Sequence, residues 1–196
     1  MRSTNYFALD LELNNKNDGS VPKIIQVGVA IGNPTKPDDI KTFSWYLDPE
    51  EKITDFIENL TGISNQLIQE KAISHEVLVK ELGEIITENK CFANPVTWGQ
   101  GDANELKEEF AQRDIYFPFF GRRIFDVKTI YVFNQIVNGK SPSGGLRKSM
   151  NSYGLKFEGT PHNAEYDALN TLRFFFKLLE RQKNFEDYKN LMKSIT

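Results

Sequence analysis

Tyr6-Phe7-Ala8-Leu9-Asp10-Leu11-Glu12-Leu13 is a hydrophobic run with two acids one residue apart, and its reading decides the fold. Its apolar and aromatic residues predict a β-strand. Alternate side chains of a strand share a face, so Asp10 and Glu12 project together, roughly 6–7 Å apart along the backbone. Phe7, Leu9, Leu11 and Leu13 point the other way. Neighbouring carboxylates repel, and burying them is costly unless positive charge lies between them. Taken alone, the pair fits either an edge strand with solvated acids or a cation site.

Outward from this strand, Asn14 to Pro22 is a polar turn, and Lys23 to Ile31 (KIIQVGVAI) predicts a second strand. Lys41 to Leu47 predicts a third, with Phe43, Trp45 and Leu47 alternating; the short links imply an antiparallel meander. From Thr54 the spacing becomes helical, near Thr54–Leu60, Ser64–Glu70 and Ser74–Lys90. Pro95 to Trp98 predicts a short buried strand, and Asp102 is placed as the N-cap of a helix to about Arg113. Arg123 to Val127 reads as a fifth strand, followed by a helix to Val137. Further helices are expected over Ser143–Tyr153, Asn163–Gln182 and, separately, Phe185–Ile195. This order predicts an α/β protein, one domain over residues 1–196, with a mixed five-stranded sheet flanked by helices.

Composition narrows the class. Apolar residues are 39% of the 196 and charged residues 26%, a balance that can fill a core. The net charge of −3 gives no global attraction to polyanions, so nucleic-acid binding would need a local patch or bound cations. One cysteine, Cys91, excludes an internal disulfide. The sequence has no stretch suited to a signal peptide or a membrane span, and reads as cytoplasmic.

Two later segments bear on the acids. Asp102 follows Trp98-Gly99-Gln100-Gly101 at the carboxyl edge of a predicted strand, where α/β proteins place their chemistry; a plain helix cap is the other reading. His162 and Asp167 lie five residues apart, about 140° apart if one helix held both. Pro161 instead keeps His162 in the loop before the helix that carries Asp167. His75, the other histidine, has only Glu76 beside it and reads as structural.

The ordered set Asp10-x-Glu12, Asp102 and His162-x4-Asp167 resembles the DEDDh 3′→5′ exonucleases of the ribonuclease H-like superfamily. Ile24-Ile25-Gln26-Val27-Gly28, Leu60-Thr61-Gly62-Ile63, Trp98-Gly99-x-x-Asp102 and Gly145-Leu146-Arg147 with Glu158-Gly159-Thr160-Pro161-His162 are most similar to its KapD-like and histone-mRNA 3′-end branch. Two positions depart from that branch: Tyr166 stands where an acid often precedes the last aspartate, and Leu13-Asn14-Asn15 follows the first motif.

The resemblance implies a ribonuclease H-like fold and removal of nucleoside 5′-monophosphates from single-stranded 3′ ends. RNA is favoured, with DNA as the alternative. It implies two Mg²⁺ ions, replaceable by Mn²⁺, held by Asp10, Glu12, Asp102 and Asp167, with His162 as general base. Homodimers occur among relatives. A scaffold that merely binds nucleic acid would have no need of mutually repelling acids, and a glycosidase pair at Asp10 and Glu12 does not account for His162. For the strand itself, Lys140, Arg147, Lys148 and Lys156 fall in a stretch without acids; they are expected phosphate contacts or an ordinary solvated face. Leu13 and Trp98 are further expected nucleic-acid contacts, and Trp98 or Phe157 would stack on a terminal base.

Overall fold

The computed structural model describes residues 4–16, 18–141 and 144–195. The expected meander forms from β1 (Tyr6–Asn14), β2 (Lys23–Asn33) and β3 (Lys36–Leu47), paired antiparallel. The third strand starts earlier than its apolar alternation suggests, because Lys36 to Ile40 continue it as a mostly exposed extension, with Lys36 opposite Asn33. The helices α1 (Asp55–Thr61), α2 (Asn65–Lys71) and α3 (His75–Glu88) follow. Each is N-capped by a hydroxyl, from Thr54, Ser64 and Ser74 respectively.

Among the described residues the sheet has six strands rather than the expected five. The addition is β4 (Ala72–Ile73), which pairs parallel with Tyr46 and Leu47 at the edge. Two residues between helices are too few to show alternation, so the pairing arises from tertiary packing. Then come β5 (Val96–Thr97), α4 (Asp102–Gln112), β6 (Phe125–Asp126), α5 (Val127–Val137), α6 (Leu146–Ser152) and α7 (Ala164–Ile195). The sheet order is β4-β3-β2-β1-β5-β6, with β5 and β6 parallel to β1.

Two expected boundaries shift. Ser143, the expected start of α6, lies outside the described residues. The two helices expected after Asn163 are one continuous helix, because Lys183 and Asn184 between them include neither Gly nor Pro to break it. No helix among the described residues is long and apolar enough to cross a membrane.

The strand β1 divides the core. Phe7, Leu9 and Leu11 join Val27, Val29 and Ile31 against α3 and α4 on one face. Ala8 and Ala30 lie on the other, under Ala168, Leu172 and Phe176 of α7. The α7 side of β2 carries Gln26, Gly28, Ala30 and Gly32, all small apart from Gln26. A Cβ on Gly28 would lie 2.0 Å from both the carbonyl carbon and the oxygen of Ala164, so the first turn of α7 rests directly on the β2 backbone.

Candidate active site

Asp10 and Glu12 sit on the α7 face of β1, opposite Gly28 and Gln26 respectively. Because Gly28 has no side chain, α7 enters low over the strand and brings Asp167 to both acids. One carboxylate oxygen from each of Asp10, Glu12 and Asp167 lies within 4.8 Å of the others. Asp102, at the start of α4, stands outside that trio but interacts electrostatically with both β1 acids. It is not the N-cap: Gly101 holds that place with no side-chain cap bond, and Asp102 is the first helical residue. Its carboxylate lies near the charges of Glu105, Asp167 and Asp126.

The electrostatics follow from crowding. Burial, then repulsion from Asp102, Asp167 and Glu12, holds Asp10 protonated well above the usual carboxylate range. Burial, then repulsion from Asp167 and Asp102, pushes Glu12 up to about 8. Asp102 rises to about 7, through burial and then the charge of Glu105. Asp167 is also raised by burial, against the opposing hydrogen bond from the His162 amide. Four acids that resist ionisation together, offering only oxygen donors, fit hard divalent cations, which would replace the missing positive charge.

The loop before α7 is held by its own backbone. His162 has φ +61°, a left-handed conformation uncommon outside glycine, and its N–H donates to Asp167 Oδ2 at 2.9 Å. Asn163 caps α7, its Oδ1 accepting from the amides of Glu165 at 3.1 Å and Tyr166 at 3.4 Å. The His162 side chain is exposed and lines a cleft of about 630 Å³ together with Asp10, Glu12 and Asp167. The Tyr166 ring covers Gly159, where φ is +74° and a Cβ would lie 2.2 Å from the ring. Local packing thus accounts for an aromatic residue at that position.

The expected strand contacts divide. Trp98, Arg147 and Lys148 line the cleft, as do Phe157 and Asn151. Trp98 is braced by Tyr131 and Phe174, with ring centroids 6.1 and 5.9 Å away. Lys140 and Lys156 are exposed but lie outside the cleft lining, and the Lys156 carbonyl accepts from Arg173 at 3.0 Å. Leu13 follows a bulge in β1 and packs with the core on the opposite face, beside a separate pocket near Lys23 and Glu108.

Sequence reasoning missed Glu105, which raises Asp102, and Asp126, whose Oδ1 accepts from the Gly99 amide at 3.0 Å. Glu105 lies one helical turn after Asp102, a spacing visible in the sequence. Asp126 lies within the expected fifth strand and caps α5, its Oδ1 accepting from the Thr129 amide at 3.1 Å; only the fold brings it near Asp102. His75 is structural as expected: buried, with Nε2 2.8 Å from Glu109 Oε1.

The RNase_T family, described as exonuclease, matches residues 7–175. The probable 3′-5′ exonuclease KapD of Bacillus subtilis (strain 168) is 28% identical over 166 residues, covering 84% of this chain and 76% of that protein. The 3′-5′ exonuclease DinG of the same organism is 24% identical over 184 residues, 92% of this chain but 18% of its own length. Two solved structures share the fold. The nuclease domain of 3′hExo, a DEDDh family member bound to rAMP, gives a TM-score of 0.78 at 18% identity, covering 92% of this chain and 94% of that one. A 3′-exonuclease recognising the histone mRNA stem-loop gives 0.77 at 19%, with 91% and 83% covered. The family match runs from β1 into α7, across every element that brings the acids together, and the chain therefore belongs to the RNase_T exonuclease family as a 3′→5′ exonuclease.

Proposed function

We propose that this enzyme shortens single-stranded RNA from the 3′ end, releasing nucleoside 5′-monophosphates with two Mg²⁺ ions, which Mn²⁺ can replace. The observation that carries the reading is the composition of one cleft: carboxylates of Asp10, Glu12 and Asp167 on its floor, His162 at its rim, and Arg147, Lys148 and Trp98 on its walls. Asp10, Glu12 and Asp167 would hold one ion, with Asp10 and Asp102 serving the second. Bound there, the ions supply charge neutralisation and Lewis-acid activation at a phosphodiester. His162, exposed beside the acids, takes the proton of the attacking water. Arg147 and Lys148 pair with backbone phosphates, and Trp98 or Phe157 stacks on a terminal base.

RNA is favoured by the rAMP and histone mRNA bound by the two fold neighbours described above. Single-stranded DNA is the second reading, favoured by the fold shared with an E. coli ExoI–ssDNA complex, TM-score 0.69 at 13% identity, covering 94% of this chain and 42% of that one. Matched 5′-labelled RNA and DNA oligonucleotides, incubated with Mg²⁺ or Mn²⁺, decide between them. We expect a ladder descending from the 3′ end, faster on RNA; internal cuts, or no cleavage of either strand, would overturn the proposal. Phe133 and Val137 of α5, with Phe185 of α7, leave an exposed apolar groove that suits a homodimer, and sedimentation over a concentration series tests it.

A further inference from the structure

The buried amide of Gln26 stands apart from everything else in its strand. Its neighbours Ile25 and Val27 are core, and Gln26 itself is 1% exposed in the middle of β2. A polar side chain there needs partners for both ends of its amide. It has them on two different elements. Its Nε2 donates to Ser44 Oγ of β3 at 2.9 Å, and its Oε1 accepts the N–H of Ala164 at 3.1 Å, 138 positions along the chain.

Ala164 is the first residue of α7, so this amide is one of the helix-start donors that no intrahelical carbonyl can satisfy. It lies two residues after His162 and three before Asp167. Gln26 also pairs with Glu12 across the β1–β2 ladder, on the same face of the sheet. One side chain therefore spans the strand beside a metal-binding acid and the helix that carries another. A second tie runs parallel to it, from Thr42 Oγ1 of β3 to Glu165 Oε1 at 2.6 Å. Gly28 sets how close α7 can come, and Gln26 sets where along the sheet its first turn stops.

We propose that Gln26 is a positioning residue for catalysis, which fixes Asp167 and the His162 loop over Asp10 and Glu12. The inference rests on the exonuclease reading above. The residue type follows from the site. An apolar isostere would leave the Ala164 amide buried and unsatisfied. A glutamate keeps an acceptor for Ala164 and can take the Ser44 hydroxyl as donor, but adds a further negative charge beside Glu12. Glutamine alone makes both bonds without charge. Small displacements matter here, because transition-state contacts are lost when reacting groups move by about 1 Å.

The test uses the full chain carrying Gln26→Met, Gln26→Glu or Ser44→Ala, each compared with wild type. We expect Gln26→Met to lower kcat at least tenfold while KM for a short oligonucleotide stays within about twofold. Mn²⁺ binding, followed by calorimetry without substrate, should weaken at least fivefold. Gln26→Glu should recover most of the lost kcat, and Ser44→Ala should show a smaller loss of the same kind. A Gln26→Met protein that melts earlier but keeps wild-type kcat and Mn²⁺ affinity would reduce Gln26 to a packing residue and overturn the proposal. So would a Gln26→Glu protein no better than Gln26→Met. Should wild type cut no oligonucleotide, the exonuclease reading fails on that result, while the calorimetric comparison still judges Gln26.

Discussion

Asp10 and Gly28 face each other directly across the β1–β2 ladder. The acid that most needs a partner is thus set against the one residue type that lets a helix backbone approach. A larger residue at position 28 would lift Ala164, and Asp167 with it, away from the acids. The absence of a side chain is as much a part of this site as the carboxylates are.

Gly28→Ala tests that pairing. The new methyl would overlap the Ala164 carbonyl, which is backbone and cannot rotate aside. We expect a loss of stability of about 1–3 kcal/mol from overpacking. Turnover should fall at least tenfold even at temperatures where the protein stays folded. Thermal melts and rates on one oligonucleotide check both.

His162→Ala removes the proposed base and no carboxylate. The expected loss in turnover is about 10²–10⁴-fold, the usual contribution of a positioned general base. Mn²⁺ affinity by calorimetry should stay close to wild type, because the His162 group that touches Asp167 is its backbone amide. Weakened metal binding in this variant would count against a purely proton-transfer role.

Asp10→Asn should separate stability from function. It removes the need to take up a proton on folding at the most crowded position of the acid cluster, while keeping the shape of the side chain. In metal-free buffer we expect the variant to be more stable than wild type, by about 1–2 kcal/mol. Turnover should be nearly abolished. Calorimetric melting in the presence of a chelator reads the first effect.

The pH dependence of metal-free stability has a definite sign. Glu12 is raised from the ordinary carboxylate range to about 8 and Asp102 to about 7. Between their unfolded values and these folded ones, the folded state holds more protons than the unfolded state. Stability from these groups is therefore present at mildly acid pH and lost as pH rises toward 8. Melting temperature should fall from about pH 5 to pH 8 in chelator, and Mn²⁺ should flatten the slope. A flat profile in chelator would contradict the crowding described here.

Much of this was legible in the sequence, for reasons that differ by element. The first strand and its two acids are a local pattern, since period-two alternation specifies both the strand and the shared face. Asp167 was legible through Pro161, which separates His162 from the helix. The small residues of β2 were visible too, but that α7 would use them as a seat depends on a contact 138 positions away. The two-residue strands β4, β5 and β6 owe their pairing to the sheet around them, so the nearness of Asp126 to Asp102 had no local signal. For Asp102 the sequence offered both a cap and a site residue, because position before a helix is all that local spacing displays; its repulsion by distant acids is a property of the assembled fold.

The tie between Gln26 and Ala164 also orders events in the life of the molecule. The second strand is made early and the helix it anchors much later, so a growing chain displays Asp10 and Glu12 long before Asp167 exists. Domains fold as units once their parts are present. Until α7 is made and docks on β2, the acids of β1 lack their third partner, so the trio exists only in a chain that holds both ends of this tie.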